Sequence, residues 1–152
     1  MSGRIVRSGE EEAEILGKAR VIAVVGASTR KGKPGHDIPE YLKRHGYRII
    51  PVNPRAGEVL GEKAYPSLRD IPGEEASRID LVLVFRPPSE AGSIMRDVLW
   101  LAEKYGGPRV VWFQPGTEDE EAARYGAEKG LVVVVGNCAW ETHVGLASRA
   151  RP

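Results

Sequence analysis

Five short apolar runs constrain this chain most: Val21–Val25, Arg48–Val52, Asp80–Phe85, Arg109–Phe113 and Leu131–Val135. They are rich in valine and isoleucine, and several are continuous rather than alternating. A continuous β-branched run suits a strand buried on both faces, as in a parallel sheet. Segments of helical character lie between the runs. Asp37–His45 puts Ile38, Tyr41 and Leu42 on one face. In Ser89–Tyr105, the residues Ile94, Val98, Leu101 and Ala102 fall at helical spacing, with Ser89 as the expected N-cap. Thr117–Glu128 opens on acidic residues that suit the positive end of a helix dipole. Gly46, Gly106 and Gly130 each stand between a helix and a strand, where C-terminal stops belong. Glu10–Ala19 reads as an additional N-terminal helix, and residues 149–152 as a frayed tail. Between the second and third runs the pattern is irregular, with a short helix expected near Ser67–Asp70.

This alternation predicts one α/β domain over residues 1–152, with its core at about 21–143. The expected sheet is doubly wound, mainly parallel and five-stranded, with helices on both faces and run order 3-2-1-4-5. Pro51 fits that order poorly, because proline suits an edge strand or a strand end. Composition narrows the class further. At 41% hydrophobic residues the chain can build a core. Its formal net charge of +1 gives no global reason to expect nucleic acid or an acidic membrane as partner. No apolar run approaches the ~20 residues that span a bilayer. The single cysteine, Cys138, excludes an intrachain disulfide and points to a reducing, cytoplasmic setting.

In such a sheet a ligand sits beyond the carboxyl ends of the strands, at the switch in strand order. The expected order puts that switch between the first and fourth runs. The loop after the first run reads Gly26-Ala27-Ser28-Thr29-Arg30-Lys31-Gly32-Lys33-Pro34-Gly35. Gly26 permits a sharp turn, and the small Ala27 and Ser28 let a ligand approach the backbone. Gly35 lies at a helix start that can offer N–H groups to a phosphate, and Arg30, Lys31 and Lys33 add positive charge. The dinucleotide fingerprint G-x-G-x-x-G is absent, since Ser28 and Lys31 occupy its second and third glycine positions. The second run ends in Asn53-Pro54-Arg55 rather than the acidic residue of an NAD site. Arg55 suits a phosphate on a ribose, which both NADP and coenzyme A carry. Phe85-Arg86-Pro87 and Phe113-Gln114-Pro115 end the third and fourth runs. Phe85 could flank an adenine or belong to the core. Arg86 could meet a phosphate or cap a helix, and Gln114 could orient a ligand or hold neighbouring backbone.

At these loops the chain resembles the coenzyme A-binding protein family, a single Rossmann-like domain similar to the N-terminal domain of the succinyl-CoA synthetase alpha subunit. The resemblance rests on Val24-Val25-Gly26-Ala27-Ser28, Gly46-Tyr47-Arg48, Pro51-Val52-Asn53-Pro54 and the stretch Leu60–Leu68. Val84-Phe85-Arg86, Trp112-Phe113-Gln114-Pro115-Gly116 and Gly130-Leu131-Val132-Val133 continue it, in order, from about Val21 to His143. It implies a chain that binds coenzyme A or an acyl-CoA. Gly26, Ala27, Ser28, Lys33, Pro34 and Gly35 would then hold the pyrophosphate. Asn53, Pro54 and Arg55 would take the adenosine end. Phe85, Arg86, Pro87, Phe113, Gln114 and Pro115 would line the rest of the groove. Many family members carry Asp-Arg-Cys followed by Glu-His after the fifth strand. Here Cys138, Glu141 or Thr142, and His143 keep that pattern in outline, but Asn137 stands where the basic residue before the cysteine would be.

Cys138 and His143 suggest a thiolate–imidazole pair. Their spacing and the lack of a third orienting group leave the catalytic constellation incomplete. No catalytic residue is assigned, and no histidine spacing predicts a metal site. The expectation is a CoA-binding module, with no nucleic-acid or membrane partner and an undefined protein partner. An NADP-dependent oxidoreductase and a thioester-acting enzyme using Cys138 remain the alternatives.

Overall fold

The computed structural model describes residues 3–150. Each of the five apolar runs contains a strand: β2 (Val21–Val25), β3 (Arg48–Val52), β6 (Leu81–Val84), β7 (Val110–Phe113) and β8 (Val132–Val135). A three-residue strand, β1 (Arg4–Val6), adds a sixth, and β4 (Glu58–Val59) and β5 (Glu62–Lys63) form a small separate hairpin. The helices are α1 (Gly9–Lys18), α2 (Pro34–Arg44), α3 (Gly73–Ala76), α4 (Ala91–Tyr105), α5 (Glu120–Glu128) and α6 (Ala139–Ala150). The tail expected at residues 149–152 is corrected for Arg149 and Ala150, which end α6, while residues 151–152 lie outside the described residues.

The fold class stands as α/β, doubly wound and parallel, but the strand count and order are corrected. The sheet has six strands in the order β1-β8-β7-β6-β2-β3, and every pair in it is parallel. In terms of the runs this is 2-1-3-4-5, not 3-2-1-4-5. Pro51 fits the edge place that this order gives its strand. β3 lies at the sheet edge, where a residue without an N–H leaves no ladder partner unmatched. The carbonyl of Pro51 accepts instead from the Tyr65 N–H at 3.0 Å, and Asn53 N–H donates back to the Tyr65 carbonyl at 2.9 Å.

Handedness explains the layers. Parallel crossovers are right-handed, so a connection running one way along the sheet covers one face and its reverse covers the other. The β2–β3 and β1–β2 connections run one way, and α2 and α1 share a face. The crossovers into β6, β7 and β8 run the other way and put α3, α4 and α5 on the opposite face. Along β2 the residues alternate accordingly. Ile22 and Val24 join Leu16, Leu42, Ile49 and Trp112 in one core layer. Ala23 and Val25 join Leu68, Met95, Val98, Leu101 and Phe113 in the other. Each fully buried Leu, Ile or Val contributes about 1.5–3 kcal/mol of transfer free energy.

Local signals set the helix ends. α5 is capped by Asp119, whose Oδ2 accepts from the Ala122 N–H at 3.0 Å. The expected cap at Ser89 is corrected: Ser89 falls in a 3-10 turn over Pro88–Glu90, and α4 starts after it. Gly46, Gly106 and Gly130 end the helices in left-handed conformation, with φ of 95°, 87° and 99°. Among the described residues, no helix is long and apolar enough to cross a membrane.

Candidate functional site

The new strand order moves the switch point to the gap between β2 and β6, whose neighbouring connections leave on opposite faces. An open cleft of about 820 Å³ lies there. Gly26, Ala27, Ser28, Thr29 and Arg30 line it from the first loop, and Asn53, Pro54 and Arg55 from the second. Arg86 and Glu90 enter from the end of β6, and Ser93, Ile94 and Asp97 from the first turns of α4.

The first loop is built by close packing. Gly26 has φ of 90°, and a Cβ there would stand 2.9 Å from Arg86 Cδ and 3.1 Å from the Phe85 carbonyl carbon. A Cβ on Gly35 would stand 2.5 Å from the Gly26 carbonyl oxygen. The two glycines therefore bring the start of α2 against the end of β2, and the Gly35 carbonyl accepts from the Ser28 N–H at 3.0 Å. The distal half of the loop is held by Asp37. Both its oxygens accept from the Gly32 N–H at 3.1 Å, and His36 Nδ1 lies 2.9 Å from its Oδ1. The His36 and Gly32 hydrogen bonds hold the Asp37 carboxyl below the usual carboxylate range. His36, Asp37 and Glu40 could share a cation by proximity, but two of the three already serve this clamp.

Asn53 ties the two loops together. Its Nδ2 donates to the Ala27 carbonyl at 2.9 Å, and its Oδ1 accepts from the Arg55 and Ala56 N–H groups at 2.7 and 2.9 Å. This Asx turn sets where Arg55 starts. Arg30 and Arg55 have no ion-pair partner among the described residues. Arg86 is paired with Glu90, with Nη2 2.6 Å from Oε2. That pairing raises the Arg86 pKa and lowers that of Glu90. Asp97 is held by Arg69 at 2.7 Å.

The structure gathers Gly26, Ala27, Ser28, Asn53, Pro54, Arg55 and Arg86 around the cleft. Lys33, Pro34 and Gly35 stand behind the loop, at the start of α2. Phe85 packs beside Gly35, and Pro87 precedes the 3-10 turn. Phe113 is wholly buried in the core, and Gln114 is 6% exposed. Gln114 Oε1 accepts from the Ala139 N–H at 2.7 Å, while its Nε2 donates to Cys138 Sγ at 3.3 Å. It therefore fixes the start of α6 and leaves Pro115 in the turn that follows. His143 is drawn the other way, its Nδ1 2.9 Å from Tyr41 Oη. Sequence reasoning missed Glu90 and Glu12. Arg86 and Glu90 lie before α4, on either side of Pro87 and Pro88, so no helical spacing announces their pairing. The Glu12–Asn137 hydrogen bond joins residues 125 positions apart, which no local pattern reports.

An all-parallel doubly wound sheet with a glycine-floored, arginine-rimmed cleft at its switch point defines a Rossmann-like domain. Comparison with known proteins gives the family. Residues 20–143 match the CoA binding domain family, and the chain belongs to it. It is 38% identical over 136 residues to the uncharacterized protein YneT of Bacillus subtilis (strain 168), covering 90% of this chain and 94% of that one. It is 32% identical over 139 residues to the alpha subunit of ADP-forming acetate–CoA ligase II from Pyrococcus furiosus. That match spans 84% of this chain but 29% of the ligase subunit. A hypothetical protein from Pyrococcus horikoshii OT3 superposes with a TM-score of 0.81 at 35% identity, over 97% of this chain and 99% of that one. A Thermus thermophilus structure gives a TM-score of 0.80 at 38% identity, over 91% of this chain and 98% of that one.

Proposed function

We propose that this domain binds coenzyme A or an acyl-CoA in the switch-point cleft and has no catalytic centre of its own. The carrying observation is the cleft itself. Gly26 lets the Arg86 stem pack against the first loop, which brings that arginine to the cleft, while Arg30 and Arg55 stand unpaired at its rim among the described residues. On this reading Gly26, Ala27, Ser28 and Arg86 meet the pyrophosphate, with Lys33, Pro34 and Gly35 shaping the loop behind it. Asn53, Pro54 and Arg55 take the adenosine end, Arg55 meeting the ribose phosphate. Phe85, Pro87, Phe113, Gln114 and Pro115, expected along the groove, stand outside the cleft lining and take no part in this reading. The family match and the likeness to the acetate–CoA ligase subunit support the choice of ligand. The lone Cys138 supports a reducing, cytoplasmic setting.

Titration calorimetry with coenzyme A tests the reading. Saturable binding is expected, with Arg55→Ala weakening coenzyme A more than dephospho-coenzyme A. Ligand at 100 times its Kd stabilises by about 2.7 kcal/mol. For a chain of this size that raises Tm by roughly 5–10 °C. No heat at millimolar coenzyme A, or a larger thermal shift with NADPH, overturns it.

A further inference from the structure

The Arg86–Glu90 pair lies inside the cleft that the proposed ligand enters. Arg86 Nε stands 3.1 and 3.2 Å from the two Glu90 carboxylate oxygens, and Nη2 stands 2.6 Å from Oε2. Both carboxylate oxygens thus face one edge of the guanidinium, in the manner that a phosphate would use. The stem of Arg86 packs over Gly26, with its Cδ and Cγ 2.9 and 3.2 Å from where a Cβ would be. This fixes the guanidinium above the glycine turn. Pro87 and Pro88 stiffen the link between the two residues, so the pair forms within a short rigid segment. The other cleft arginines differ. Arg30 and Arg55 have no carboxylate partner among the described residues. The second cleft carboxylate, Asp97, is held by Arg69, whose guanidinium also lies 5.0 Å from the Trp100 ring. Glu90 is therefore the cleft carboxylate that occupies an arginine aimed at the glycine turn.

We infer that Glu90 is a specificity-determining residue, an internal stand-in for a phosphate that a ligand must displace from Arg86. This inference rests on the coenzyme A reading of the same cleft. A pyrophosphate brings more than one negative charge and several acceptor oxygens, so it can replace the carboxylate and engage Arg30 at once. A neutral pantetheine or a small carboxylate cannot, because it loses the Arg86–Glu90 pair without an equal return. The class of ligand admitted is thus one that carries a pyrophosphate. Glu90 also repels any bound phosphate, so it lowers the affinity for all of them while raising the threshold of charge for entry.

The test is a double-mutant cycle read by calorimetry with coenzyme A. The proteins are wild type, Glu90→Gln, Arg86→Ala and the double variant, with Glu90→Ala as a second removal of the charge. Glu90→Gln and Glu90→Ala are expected to bind about two- to fivefold tighter, the factor an exposed pair of this kind is worth. Arg86→Ala is expected to bind more weakly, and Glu90→Gln to give a clearly smaller gain in that background, the part due to repulsion alone. The gain should shrink with added salt, since both side chains are more than 40% exposed. Wild-type binding without a gain in either Glu90 variant overturns the inference and leaves the ligand assignment standing. A gain of equal size in the Arg86→Ala background overturns it too, because simple repulsion then suffices. Absence of wild-type binding overturns the ligand assignment, and this inference with it.

Discussion

Replacing Gly35 with alanine tests whether the cleft floor depends on close contact between α2 and β2. Gly35 is the second residue of α2 and has no left-handed φ, so alanine meets no backbone penalty there. The obstacle is the Gly26 carbonyl oxygen, 2.5 Å from the new Cβ, where ordinary contact begins at 3.4 Å. The helix start must retreat by about 0.9 Å, the difference between those distances. The carbonyl cannot turn aside freely, because its own residue donates an N–H to the Val52 carbonyl at 3.3 Å and Arg86 packs on it. Overpacking of this kind costs about 1–3 kcal/mol. Alanine returns up to about 1 kcal/mol of helix propensity, and less in a first turn. The net expectation is a loss of about 1–2 kcal/mol, which lowers Tm by roughly 2–8 °C. Gly145→Ala is the control. Gly145 lies exposed in α6 with nothing within 4 Å of where a Cβ would stand, so the same exchange is expected to stabilise by about 0.5–1 kcal/mol. Thermal melts by circular dichroism and urea titrations at one pH read both. Opposite signs are expected. A Gly35→Ala protein that melts at or above wild type refutes the reasoning, since the carbonyl would then offer no obstacle.

Three further expectations concern a buried carboxyl and a half-buried imidazole with its hydroxyl partner. Glu12 is wholly buried, its Oε2 has no hydrogen-bond partner among the described residues, and burial raises its pKa. The folded state then holds that proton more tightly than the unfolded one. Its stability contribution is full below the ordinary carboxylate value and falls as pH rises through the raised one. Glu12→Gln keeps an acceptor for Asn137 and is expected to gain on wild type in Tm as pH climbs from 4 towards 7; a difference that stays flat across that range contradicts this. His143 behaves oppositely. Burial and the neighbouring His45 lower its pKa, so the neutral ring is favoured in the fold. Its contribution is present above the ordinary imidazole value and is lost as pH falls through the lowered one. Tyr41→Phe removes the hydroxyl at 2.9 Å and is expected to cost about 0.5–1.5 kcal/mol. His143→Phe should flatten the acid side of the Tm–pH curve, which a thermal-shift series between pH 5 and 8 can check.

Five strands of the sheet, their parallel direction and the loops that leave their carboxyl ends are legible in the sequence alone. Val21–Val25 and Leu131–Val135 can bury both faces only in a covered parallel sheet, and Gly26-Ala27-Ser28 after a strand marks a place of close approach. Those signals are local: side-chain type, spacing and turn chemistry act over a few residues. Strand order was decided by packing. Whether the third run joins the sheet beside β2 or beyond β3 depends on which face Leu68, Ile71 and Ala76 cover, and they cover the face of α4. Pro51 leaned towards the edge position but could not choose the neighbour. The strand at Arg4–Val6 needed β8 to exist at all, since three residues hold no extended conformation alone. Distance in sequence hid the rest. Glu12 reaches Asn137, Asn53 reaches Ala27, and Gln114 turns away from the cleft to hold Ala139. Each contact joins residues far apart in the chain, and only the folded packing brings them within hydrogen-bonding reach.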